Sequence, residues 1–77
     1  MALDGGEDGL DFYRRIASGA PAHLTPGGMI AVEVGIGEAD DVAALFAGAG
    51  LENVQVINDL YGAARIVSAY RRRDDHV

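Results

Sequence analysis

Cysteine, lysine and tryptophan are all missing from these 77 residues. Without cysteine, disulfides and thiolate metal sites are excluded, and the sequence says nothing about redox compartment. A chain of this size buries only about 60% of its unfolded surface. With no covalent staple, a thin core would have to be made good by oligomerisation. Aromatics make up 6% of the chain, so much of its 49% hydrophobic content is alanine, which buries little area per residue. Without lysine, six arginines stand against twelve acids, for a net charge of −6. Such a chain is a poor polyphosphate binder, because counterion release requires clustered positive charge. Its one basic cluster, Arg71-Arg72-Arg73, adjoins Asp74 and Asp75 and reads as part of a solvated tail over residues 71–77. No apolar run approaches the roughly 18 residues of a membrane span, and no signal-peptide pattern opens the chain. The composition therefore points to a soluble cytoplasmic protein without direct contact to nucleic acid or membrane.

Periodicity supplies the elements. Asp8 can cap a helix whose first turn holds Asp11, and Leu10, Tyr13, Ala17 and Ala20 recur at helical spacing, with Phe12 and Ile16 widening the stripe. Arg14 and Arg15 fall on the wet face. Gly19 and Pro21 should break or kink this helix near Ser18, with a last turn to Leu24 as the alternative. Pro26-Gly27-Gly28 has the chemistry of a type II turn. It leads into residues 29–34, apolar except for Glu33, a pattern suited to a strand buried on both faces. Asp40 and Asp41 open a second helix with Val42, Leu45, Phe46 and Ala49 on its apolar stripe and Gly50 as its stop. VQVIN and RIVSAYR read as two further strands around a turn at residues 59–64.

The order helix-strand-helix-strand-strand predicts an α/β fold: a parallel pair joined by a crossover, then a last strand too close for anything but antiparallel pairing. The expectation is a mixed three-stranded sheet with two helices, a single partial domain over residues 1–77. That is half of an α/β domain, and it cannot cover both sides of its first strand.

VEVGIGEADDV imitates a cofactor fingerprint: strand, Gly35-x-Gly37, helix, and Asp59 at the end of the next strand. In the third glycine place stands Asp40, and Glu38 and Asp41 add charge that repels phosphate. The loop is therefore read as strand-to-helix punctuation, with no cofactor-binding residue assigned. His23 and His76 lack neighbours at ligand spacing, so no metal site is expected, and neither Ser18 nor Ser68 has the context of a nucleophile. Glu33 has two readings. It either hydrogen-bonds locally or points outward, or it faces the crevice where open α/β sheets bind ligands.

The anchors ALDGGEDGLDFYRRI, L-x-PGG, EVG before a helix, and DL-x-G-x-x-R-x-V follow one another at intervals that resemble the C-terminal portion of the HemK/PrmC glutamine methyltransferases. The resemblance runs from Ala2 to about Arg71. It departs at Gly35-Ile36-Gly37-Glu38, where the family often has Gly-x-x-Gln, and at Gly62-Ala63-Ala64-Arg65, where it often has Gly-x-Asp-Arg. The resemblance implies the end of a class I, Rossmann-like methyltransferase fold. It also implies an S-adenosylmethionine-dependent enzyme that methylates the glutamine amide of the Gly-Gly-Gln motif in peptide-chain release factors, or of a ribosomal protein in a close relative. The family's cofactor loop and Asn-Pro-Pro-Tyr motif precede the LDGG segment and do not occur here. No catalytic residue is therefore assigned, and the chain alone is expected to be inactive and free of cofactor. By the same resemblance Asp4, Gly5 and Gly6 line the substrate side; equally, the glycines permit a turn ahead of a helix capped by Asp8. Two function classes stay open, a piece of a glutamine methyltransferase and a stand-alone binding or assembly module. In either case residues 29–34 or the first helix are expected to mediate self-association.

Overall fold

The computed structural model describes residues 9–73. Five elements follow in the expected order: α1 Asp11–His23, β1 Met29–Glu33, α2 Ala39–Gly48, β2 Glu52–Asn58 and β3 Ala64–Tyr70. The cap expected at Asp8 lies outside the described residues; the helix itself starts at Asp11, with Leu10 in the cap position.

Helix α1 does not break at Gly19 or Pro21. Proline removes the N–H that would bond the Ala17 carbonyl, yet the helix continues through Pro21 to His23. Burial of Ala17 and Ala20 holds the turn down, and the Leu24 N–H closes it on the Ala20 carbonyl at 2.9 Å. Phe12 leaves the apolar stripe: it is exposed and stacks edge-on against Tyr13, ring centroids 5.4 Å apart.

Between α1 and β1 the type II turn forms as expected. Gly28 N–H donates to the Thr25 carbonyl at 2.8 Å, and Gly27 holds a φ of +80° that only glycine adopts without strain. Arg71 then clamps this turn to the end of β3. Its N–H donates to the Gly28 carbonyl, its carbonyl accepts from Gly27 N–H, and its guanidinium donates to the Leu24 carbonyl at the C-terminus of α1. The solvated tail expected from residue 71 onward therefore does not include Arg71; residues 74–77 lie outside the described residues.

Helix α2 ends in a Schellman motif. Gly50 N–H bonds the Ala47 carbonyl and Leu51 N–H bonds the Phe46 carbonyl, with Gly50 at φ +90°. Leu51, past the stop, is buried in the same core cluster as Phe46, the hydrophobic contact that accompanies this motif.

The sheet order is β1-β3-β2. β1 and β2 run in the same direction, as the helical crossover requires, but they are not neighbours. β3 returns between them, so both pairings are antiparallel: Met29 opposite Tyr70 through Glu33 opposite Ile66 on one side, and Gln55 opposite Ser68 and Ile57 opposite Ile66 on the other. The expected antiparallel last strand is present. The parallel pairing of the first two strands is replaced by an insertion between them.

Both helices join one core with the sheet: Phe46, Val42 and Val67 are its largest fully buried side chains, with Ala17, Ala20, Ala39 and Ala69 around them. The molecule is flat, with principal extents of 46 × 33 × 15 Å, so the sheet is covered on one face only. Strand β1 alternates accordingly. Ile30 and Val32 are half-buried on the helix side, while Met29, Ala31 and Glu33 are exposed on the other. The burial on both faces expected for this strand does not occur, because no second layer of helix is present among the described residues.

Candidate functional site

One end of the sheet gathers the charged and polar groups that the sequence singled out. The N-terminal turn of α1, the C-terminal ends of β1 and β2, the N-terminus of α2 and the β2–β3 hairpin all meet there. Open α/β sheets bind ligands at the carboxyl ends of like-directed strands, and this is that end.

At its centre Glu38 folds back over the loop between β1 and α2. Its Oε1 accepts the Gly35 N–H at 2.9 Å, and the Glu38 N–H donates to the Gly35 carbonyl at 3.1 Å. The Gly-x-x-acid spacing thus closes a tight turn just ahead of α2, whose own N-cap, Glu38, spends its carboxylate on that turn and not on the helix N–H groups. Any Cβ at position 35 would sit 3.1 Å from that carboxylate oxygen, and Gly37 turns the chain at φ +81°. Both glycines of the apparent cofactor fingerprint are accounted for by this turn.

Tyr13 reaches the same place from α1. Its phenol donates to the Glu33 carbonyl at 2.9 Å and so joins the helix to the end of β1. Burial pushes the phenol pKa up, and the carboxylates of Glu38 and Glu33 push it in the same direction, so this hydroxyl stays protonated past the ordinary tyrosine range. The sequence pattern used Tyr13 only as part of an apolar stripe. The signal that could have revealed more is its place one turn into a helix that follows a glycine-rich acidic segment.

Asp59 likewise has a local task. Its Oδ1 accepts from Tyr61 N–H at 2.8 Å and Ala63 N–H at 3.0 Å, and its Oδ2 pairs with Arg65 Nε at 3.2 Å. The backbone donors, followed by Arg65, hold its carboxyl below the usual carboxylate range. Gly62, at φ +85°, completes the turn.

Of the substrate-side candidates, Glu33 stands exposed at the carboxyl end of β1, on the face away from the helices. Asp4, Gly5 and Gly6 lie outside the described residues. Far from this end, His23 directs Nδ1 to the Gly19 carbonyl at 2.9 Å. No helix among the described residues is long and apolar enough to cross a membrane.

Comparison with known proteins bears on the whole arrangement. No family model matches the chain. It is 54% identical over 69 residues to a release factor glutamine methyltransferase of Cereibacter sphaeroides, covering 90% of this chain and 25% of that protein. The corresponding protein of Geobacter sulfurreducens is 48% identical over 66 residues, covering 86% of this chain and 23% of the relative. Among solved structures, the release factor-specific protein-(glutamine-N5) methyltransferase of Alicyclobacillus acidocaldarius superposes with a TM-score of 0.71 at 37% identity, over 94% of this chain and 45% of that one. The chain spans about a quarter of the length of the curated relatives it matches. In sequence and in fold, it corresponds to a segment of the release factor glutamine methyltransferases.

Proposed function

We propose that this chain is part of the catalytic domain of an S-adenosylmethionine-dependent protein-glutamine N5-methyltransferase that acts on the Gly-Gly-Gln motif of peptide-chain release factors in the cytoplasm. The observation that carries this reading is the 54% identity over nine-tenths of the chain to a relative bearing that enzyme's name. In this reading the chain by itself holds no methyl donor. The Gly35 N–H is given to Glu38, Gly37 serves the turn, and the Asp59 carboxylate is taken up by two backbone donors and Arg65. The segment's own contribution is scaffolding: it sets the carboxyl end of β1, where Glu33 is presented and Tyr13 is anchored. Asp4, Gly5 and Gly6 belong to the substrate side in this reading. Replacing the matching segment of the Cereibacter sphaeroides enzyme with this chain should preserve methylation of a release factor, read by mass spectrometry of the glutamine-bearing peptide. A folded but inactive chimaera would refute the reading. Calorimetry of the 77-residue chain with S-adenosylmethionine should give no saturable heat; micromolar binding lost in Gly35→Ala and Gly37→Ala would restore the fingerprint as a cofactor loop.

Self-association belongs to the same proposal. Among the described residues β1 pairs with a strand on one side only, β3; its other edge carries neither proline nor lysine, and the Glu33 carbonyl at its end accepts the Tyr13 phenol. Such an edge is a template for another strand. Two copies pairing antiparallel about Ala31 would set Met29 against Glu33, so no like charges would face each other. Helix α1 has less to offer, since Leu10 is buried and Tyr13 half-buried, leaving Phe12 as its exposed aromatic. Sedimentation over a concentration series should show a dimer that Ala31→Pro abolishes. A folded monomer persisting into the high-micromolar range would remove the edge as an interface.

A further inference from the structure

Three large apolar side chains stand almost fully in solvent at the candidate site. Ile36 is 93% exposed, Leu60 99% and Tyr61 93%. Single exposed hydrophobics are common and call for no explanation. These three are confined to two adjoining loops at one end of the sheet. Ile36 lies between β1 and α2, and Leu60 and Tyr61 form the tip of the β2–β3 hairpin. A shallow groove of about 300 Å³ separates the loops, lined by Ile36, Gly37 and Asp40 on one side and by Ala63, Ala64 and Arg65 on the other.

Neither loop is slack. The hairpin is held by three hydrogen bonds to the Asp59 carboxylate, from Tyr61, Ala63 and Arg65, by the Gly62 N–H to the Asp59 carbonyl, and by the Asp59 N–H to the Ala63 carbonyl. The other loop is fixed by the reciprocal Gly35–Glu38 bonds, and Val34 N–H ties it to the Arg65 carbonyl at 2.8 Å. Apolar groups presented on pre-ordered backbone lose little entropy on binding, the property expected of anchors in an interface.

The surrounding charge indicates what these anchors would meet. Glu33, Glu38, Asp40 and Asp41 ring this end, while Arg65 is paired to Asp59 and Arg14, in the first turn of α1, to Asp11. A partner that buries Ile36, Leu60 and Tyr61 must approach this acidic rim, so electrostatic complementarity requires a basic surface around its apolar contact.

We infer that the Ile36 loop and the Leu60-Tyr61 hairpin tip form the docking surface for the methyl-accepting protein, engaging a basic, apolar-centred face of the release factor. This rests on the methyltransferase reading and adds to it the surface by which the protein substrate is held. The two hairpin residues and Ile36 supply contact area, and the acidic rim supplies orientation and salt dependence.

The test uses the 77-residue chain, an intact release factor, and cytochrome c as an unrelated basic protein. Fluorescence anisotropy of the labelled chain should report binding to the release factor that weakens as salt rises from low to physiological strength. Leu60→Ser with Tyr61→Ser should weaken it at least about tenfold, and Ile36→Ser should weaken it independently. These side chains are solvated, so circular dichroism should be unchanged, which separates lost docking from lost folding. Asp40→Asn with Asp41→Asn should flatten the salt dependence. Release-factor binding that survives the hairpin and Ile36 substitutions overturns the inference, as does an absence of binding by the unsubstituted chain. Hairpin-dependent capture of cytochrome c without capture of the release factor overturns the choice of partner. Failure of the methylating chimaera alongside intact hairpin-dependent docking would instead refute the enzymatic reading and leave the surface standing.

Discussion

Phe46→Ala is the most informative stability test, because two neighbouring positions that look equivalent in sequence differ in structure. Leu45 and Phe46 both belong to the apolar stripe of α2. Phe46 is fully buried, in one core cluster with Val42, Val67 and Leu51, and its carbonyl accepts the Leu51 N–H that closes the helix. Leu45 is only half-buried. Truncating a fully buried phenylalanine costs about 3–5 kcal/mol, from lost transfer energy and the cavity left behind. A half-buried leucine should lose less than the roughly 2–5 kcal/mol of a core leucine, so we expect about 1–2 kcal/mol. At about 0.05–0.15 kcal/mol per residue, a domain of this size has only about 4–12 kcal/mol in total. Phe46→Ala should therefore lower the melting temperature by about 12–40 °C, and Leu45→Ala by about 4–16 °C. Urea and thermal unfolding followed by circular dichroism measure both. If Leu45→Ala proved the more damaging, the face of α2 assigned to the core would be wrong.

Other residues give sharper, smaller readouts. Because the folded Asp59 carboxyl lies below its ordinary value, its contribution is present above the unfolded pKa and lost as pH falls through the folded one; Asp59→Ala should flatten the acid limb of the stability profile. Tyr13 has the opposite sense: its raised phenol pKa favours the fold below the unfolded value and loses that contribution as pH rises through the folded one, so ultraviolet titration should show one tyrosine ionising late and Tyr13→Phe should remove it. Gly37→Ala, at φ +81°, should cost about 1–2 kcal/mol in urea unfolding through left-handed strain alone. Arg14→Ala should change the melting curve by no more than about 0.5 kcal/mol, since its 2.9 Å pair with Asp11 is solvent-exposed.

The elements were legible because each is governed by nearby residues. Apolar spacing along α2, the Pro26-Gly27-Gly28 turn and Gly50 as a helix stop all act within a few positions, and each forms as read. Helix α1 follows the longer of its two readings, with a last turn to Leu24: the break expected at Gly19 and Pro21 is a local penalty, whereas the burial of Ala17 and Ala20 depends on packing. Arg71 was missed because its partners, Gly27, Gly28 and Leu24, lie more than 40 residues earlier. Three adjacent arginines beside two aspartates look like a tail unless the register of β3 against β1 is known.

The strand order shows most clearly where local reading ends. A helical crossover fixes the relative direction of β1 and β2 but not the distance between them. If they had been neighbours, β3 would have occupied an edge, and Val67, Ser68 and Ala69 would be odd residues to find there. A central strand is flanked on both sides and buried by its neighbours even where no helix covers it. The buried run at Val67-Ser68-Ala69, against the exposed alternation of β1, is the consequence of the insertion. The same insertion frames the candidate site. By placing β3 between β1 and β2, it sets the hairpin tip beside the loop after β1, which brings Leu60 and Tyr61 to the same end as Ile36 and Glu33. Positions far apart along the chain thereby share one surface.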